Sequence, residues 1–156
     1  NGSKKTRGAL RQTRRSNNRV TFHPHLSGFA MNVPSLLLGR ILLSVPFLAF
    51  GLMHLFQADK LAGVVPAWMP GGIALVYVSG LAELLAAVAF LTGRYAALAG
   101  QLTALLLFIF VATIHLPGVL NGTDPMMVQM SMAGMLKDFG LAGGALLFSH
   151  IFSSRS

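Results

Sequence analysis

Beyond Pro34 the chain alternates four long apolar stretches with three connections. The stretches are Leu36–Phe56, Gly72–Leu91, Ala96–Leu116 and Met132–Phe152. An apolar helix of about 20 residues covers the ~30 Å hydrocarbon core of a bilayer. A soluble helix of that length would carry a charged outer face, and none of the four does. The pattern predicts an all-α, polytopic membrane protein whose four transmembrane helices form an up-and-down bundle. The connections are Gln57–Gly71, Thr92–Tyr95 and Pro117–Ser131. The middle one is a tight turn, which favours antiparallel neighbours.

Composition agrees with that reading. Hydrophobic residues make up 54% of the 156 and charged residues 10%, far from the ~25% charged residues of a soluble domain. The length leaves room for one folded domain. Cysteine is absent, so this chain supplies no thiol for disulfide exchange, iron–sulfur ligation or c-type haem attachment.

Charge adds an orientation. Seven of the twelve basic residues fall before residue 20, whereas from Met31 onward five basic residues face four acidic ones. Residues 1–30 are a polar, basic arm without apolar periodicity, predicted to be disordered; residues 31–156 hold the transmembrane domain. The chain does not open on methionine and Met31 directly precedes the first stretch. The arm is therefore read as standing before the natural start, with binding to anionic lipid headgroups as the alternative. No aromatic or folded module accompanies its charges, which argues against a nucleic-acid partner. A cleaved signal peptide does not fit, because Leu36–Phe56 is too long for its apolar region and lacks a small-residue cleavage pattern. The positive-inside rule puts the arm, Arg40, Arg94 and Arg155 in the cytoplasm, with Lys60 in an outer loop. Both termini are then cytoplasmic.

The polar residues inside the stretches are Arg40, His54, Glu83, Gln101, His115, Lys137 and Asp138. An ionisable group at bilayer depth is costly unless it pairs or lines a cavity. Glu83 follows Gly72 by eleven residues, about 16 Å at ~1.5 Å per residue, close to the midplane. His54, His115, Lys137 and Asp138 fall in the outer half. Helical spacing gathers Arg40, Ser44, Phe47, Gly51 and His54 on one stripe, and Tyr77, Gly80, Glu83 and Ala87 on another. Lys137, Gly140 and Gly144 share a third, with the two glycines as a close-packing pair. Gln101, Ala104, Phe108 and His115 fit a fourth. A buried Glu83 needs a proton or a cation, and Lys137 is the available cation.

Plainer readings compete for several positions. Arg40 fits a snorkelling anchor at the cytoplasmic boundary, His115 an interfacial histidine beside Pro117, and Lys137–Asp138 a pair satisfied locally. Pro46 removes a backbone hydrogen bond from the first helix and is expected to kink it. Met126, Met127, Met130, Met132 and Met135 are better read as apolar filler than as Cu(I) ligands. Two histidines near helix ends are too little to argue for haem. No metal site is expected.

Three motifs in order resemble the DoxX family of small four-helix membrane proteins. They are Arg40-Ile-Leu-Leu-Ser-Val-Pro-Phe-Leu-Ala-Phe-Gly51-Leu-Met-His54, then Pro70 with Tyr77-Val-Ser-Gly80-Leu-Ala-Glu83 and the Gly93-Arg94 turn, and finally Leu136-Lys137-Asp138. The resemblance implies a multi-pass protein of the bacterial plasma membrane. It also implies a membrane subunit of a quinone-linked oxidoreductase or oxidative-stress complex, with quinone as a non-covalent cofactor and redox subunits as partners; a homo-oligomer stays open. On that reading Glu83 exchanges the proton, while His54 and Lys137 orient a quinone carbonyl or balance charge. Tyr77, His115 and Asp138 are further candidate contacts. The rival is a non-enzymatic membrane anchor or assembly partner. A small transporter is disfavoured by the absence of duplicated halves.

Overall fold

The computed structural model describes residues 33–153, and their regular structure is entirely helical. The basic arm, residues 1–30, and Arg155 lie outside the described residues. Helix α1 spans Val33–Phe56, the short α2 Ala58–Ala62, α3 Ile73–Thr92 and α4 Ala96–Phe110. A π-helical turn, Val111–His115, joins α4 to α5 (Leu116–Asn121), and α6 runs Pro125–Ser153. Three segments are long and apolar enough to cross a membrane: Pro34–Phe56, Ile73–Thr92 and Ala96–Asn121. At 29 residues α6 is the longest helix, but Gln129, Lys137, Asp138 and His150 dilute its apolar character. By length and composition the structure gives three spans where the sequence led us to expect four.

Small and aromatic residues set the packing. α1 lies along α3 and α4 along α6, with α3 against α4 joining the two pairs. A Cβ on Gly80 would fall 2.7 Å from His54 Cβ and 3.0 Å from the Gly51 carbonyl oxygen, so α1 and α3 meet at that glycine pair. Gly100 similarly lies on the backbone of Ala145 and on Ser149, and Ser149 Oγ donates to the Ala97 carbonyl at 2.7 Å. Away from His54 the centre is aromatic, with ring centroids 5.5 Å apart for Phe47–Phe90, 5.2 Å for Phe90–Phe148 and 4.5 Å for Phe148–Phe152. Leucines and valines cover the outside: Leu42, Val78, Leu85, Leu105 and Leu147 are each more than half exposed. An apolar coat of that extent is surface for lipid, not for water.

The α3–α4 turn closes by a left-handed glycine. Gly93, at φ 76°, donates its N–H to the Ala89 carbonyl, a conformation that costs glycine little. Arg40 completes this helix end. Its Nε donates to the Phe90 carbonyl at 3.1 Å and its Nη2 to that of Leu91. Both are among the last carbonyls of α3, which lack partners within the helix and attract positive charge. The guanidinium also lies 5.8 Å from the Phe152 ring centroid. Arg40 therefore turns toward α3 and α6.

Other expectations shift as well. The Pro117–Ser131 connection is mostly helix, and only 122–124 separates α5 from α6. Asp124 caps α6, accepting the Met126 N–H on its side chain at 2.8 Å, and Pro125 stands first, where a missing N–H is harmless. The buried face of α6 is Asp138, Ala142, Ala145, Phe148 and Ser149, not Lys137–Gly140–Gly144; a Cβ on Gly140 would meet open space. In α4, Gln101 and Phe108 are exposed while Gly100, Thr103, Ala104 and Leu107 are buried. Pro46 lies inside α1 without ending it.

Candidate functional site

Each helix pair delivers one histidine and one carboxyl to the same end of the fold. From α1 and α3 come His54 and Glu83, with His54 Nδ1 2.9 Å from Glu83 Oε2. From the π-helical turn and α6 come His115 and Asp138, with His115 Nε2 3.1 Å from Asp138 Oδ2. Lys137 Nζ is 3.2 Å from Asp138 Oδ1 and 3.8 Å from the Phe50 ring centroid. Glu83 is 3% exposed and Asp138 1%.

Local sequence explains these positions. Gly51 and Gly80 allow α1 and α3 to approach, which brings His54 against Glu83. Pro117 cannot donate to the preceding turn, and its ring would collide with the Thr113 carbonyl in a regular helix. The wider π-helical turn before it accommodates that conflict, as such turns do at functional positions. Opposite, a Cβ on Gly134 would overlap the His115 ring, so this glycine makes the room for it. Because α6 starts at Pro125, Lys137 stands twelve residues inside it, not five as a start at Met132 implied. Asp138 is buried there, and the Lys137 ammonium lies beside Phe50.

Hydrogen bonding at the site is incomplete. His54 Nδ1 also lies 2.8 Å from the Phe50 carbonyl oxygen, so one ring nitrogen faces two acceptors. Glu83 Oε2 and both Asp138 oxygens are within ion-pair distance of their neighbours, yet none receives a hydrogen bond of good geometry. Three acceptor atoms are buried and unsatisfied, in a fold where such atoms are rare.

Glu83 and Asp138 line a cavity of about 370 Å³. Its walls are apolar, formed by residues such as Phe50, Met53, Val76 and Phe110, and its polar side holds His54, Glu83, His115, Lys137 and Asp138. The His54 and Phe110 rings stack, with centroids 6.1 Å apart. Leu61, Val64, Val65, Pro66 and Met69, from the segment after α1, line it as well. Five of the six sequence candidates meet here. Tyr77 does not, being half-exposed and outside the lining. Phe50, Phe110 and the Leu61–Met69 residues were not anticipated; apolar Val64-Val65-Pro66 inside a connection was the available signal. Among the described residues no group of three or more His, Cys, Asp or Glu side chains is placed to hold a metal ion.

Positions 43–134 match the family described as Domain of unknown function (DUF8561), and the chain belongs to that family. The matched segment contains His54, Glu83 and His115 and ends before Lys137 and Asp138. This corrects the resemblance to DoxX, since the family matched is a different one. No curated protein and no solved structure matches the chain.

Proposed function

We propose that this member of the DUF8561 family is a redox-associated membrane subunit whose cavity binds a quinone-type ring and exchanges protons with it. One observation carries the reading: two buried carboxyls, each beside a histidine, converge from separate helix pairs on an apolar-walled cavity. The volume is at the small end of ligand pockets, ~300–1,000 Å³, which suits one ring with its tail in the lipid. Glu83 and Asp138 accept protons, His54 and His115 pass them on, and Lys137 balances charge. Expected behaviour follows for the protein in nanodiscs, titrated with a short-tailed benzoquinone and its hydroquinone. Saturable binding of at least one form is expected, weakened about tenfold for that form by Glu83→Gln and unchanged by Tyr77→Phe. No saturable binding of either form would favour the anchor reading, in which the polar contacts only pack helices.

The same proposal makes α6 the fourth span of a four-helix bundle in a bacterial plasma membrane. Its buried charge, Asp138, faces the interior and Lys137 reaches back onto Phe50, while Leu136, Phe139, Leu146 and Leu147 are exposed. Charge asymmetry then puts Arg94 and both termini in the cytoplasm. In this cysteine-free chain, single cysteines at Gly63 and Asn121 are expected to react with an impermeant thiol reagent added to intact cells. One at Arg94 is expected to stay unlabelled. Labelling at Arg94 alone reverses the orientation.

A further inference from the structure

Three buried carboxyl oxygens at the cavity receive no hydrogen bond, and from that we infer that it selects a neutral head carrying hydroxyl donors. Within the quinone class this is the hydroquinone and not the quinone. The inference rests on the reading of the cavity as a ligand site and adds the chemistry of the occupant's head.

Glu83 Oε2, Asp138 Oδ1 and Asp138 Oδ2 are all buried and receive no well-directed hydrogen bond. The nearby donors stand close without directing a bond at these oxygens. His54 Nδ1 lies between two acceptors, the Phe50 carbonyl at 2.8 Å and Glu83 Oε2 at 2.9 Å. His115 Nε2 is 3.1 Å from Asp138 Oδ2, and Lys137 Nζ lies over the Phe50 ring at 3.8 Å and 3.2 Å from Asp138 Oδ1. A buried acceptor without a donor is costly, and the cost is recovered when a ligand supplies one. A carboxylate only accepts, and a carboxyl that gains a proton still keeps free lone pairs.

The matched pair of ring ligands divides on this point. A quinone presents two carbonyls, both acceptors, and would add to the surplus. Its hydroquinone presents two O–H donors on the same skeleton. A cationic head would also supply donors, but Lys137 already stands 3.2 Å from Asp138 Oδ1 as its counter-charge. A neutral hydroxyl supplies the donor without adding a second cation. Phe50 and Phe110 on the apolar wall suit a flat ring.

The test uses the full chain in nanodiscs, anaerobically, with a benzoquinone bearing a ten-carbon tail and its hydroquinone. The hydroquinone is expected to bind at least tenfold more tightly. In Asp138→Asn and Glu83→Gln an amide NH2 replaces one acceptor, and the preference is expected to narrow to threefold or less. Thermal unfolding of each variant in the same nanodiscs shows whether it is folded, and the wild-type comparison stands without them. Equal affinities, or tighter binding of the quinone, would overturn the hydroxyl preference and leave the ligand site standing. Failure of both forms to bind would overturn both.

Discussion

Lys137→Met is expected to lower the stability of the folded protein by about 2–3 kcal/mol, the largest effect of any single polar substitution in the site. Its partner Asp138 is 1% exposed and already lacks hydrogen bonds on both oxygens. Removing one member of a buried pair typically costs ~3–5 kcal/mol because the other charge is left uncompensated. The figure is set lower here because Lys137 itself is 39% exposed on its side chain, and exposed charges contribute less. The double variant Lys137→Met/Asp138→Leu is expected to regain most of the loss, since an apolar pair leaves nothing unpaired. Denaturant unfolding in detergent micelles measures all three. A single variant within about 0.5 kcal/mol of wild type, the usual range for surface changes, would show that the pair does not stabilise the interior.

The second large effect is expected at the glycine contact. Gly80→Ala must displace His54 or the Gly51 backbone, which stand 2.7 and 3.0 Å from the new Cβ. Overpacking of this kind costs about 1–3 kcal/mol, and a value near 2 is expected by thermal unfolding. Ring binding should fall with it, because moving α1 from α3 separates His54 from Glu83. Gly140→Ala is the contrast. Its Cβ enters open space, and replacing a mid-helix glycine by alanine stabilises by about 0.5–1 kcal/mol. A destabilising Gly140→Ala would put that residue on a contact face after all.

These two glycines also show what the sequence revealed and what it concealed. In α1 the spacing of Ser44, Phe47, Gly51 and His54 picked out the inward stripe, because small and polar residues there stand against leucines everywhere else. Gly80, Glu83 and Ala87 did the same in α3. In α6 glycines and charges occur on several faces, and Gly140 with Gly144 suggested a contact stripe one residue away from the real one. Asp138, not Lys137, points inward, and only the length of lysine brings its ammonium back to Phe50. The start of α6 was hidden because Gln129 and Ser131 break the apolar run, although Asp124-Pro125 is a helix-start signal. Pro117 looked like a helix stop, and no sequence period announces a π-helical turn. The resemblance to DoxX rested on short motifs, and glycines beside polar residues are also what close helix packing around a polar interior demands.

The Arg40 clamp has a mechanical consequence. At one end of the fold α1, α3 and α6 are tied by two charged hydrogen bonds and a run of four phenylalanines from Phe47 to Phe152. At the other end, helices meet around a cavity whose polar side carries unsatisfied oxygens. Local stability follows packed apolar contact, so the two ends differ in stiffness. Within residues 33–153, the helix tips around His54 and His115 are expected to open more readily than the aromatic end, measured as faster amide hydrogen exchange there. On that expectation a ring enters as the tips part, while Arg40 holds the opposite end.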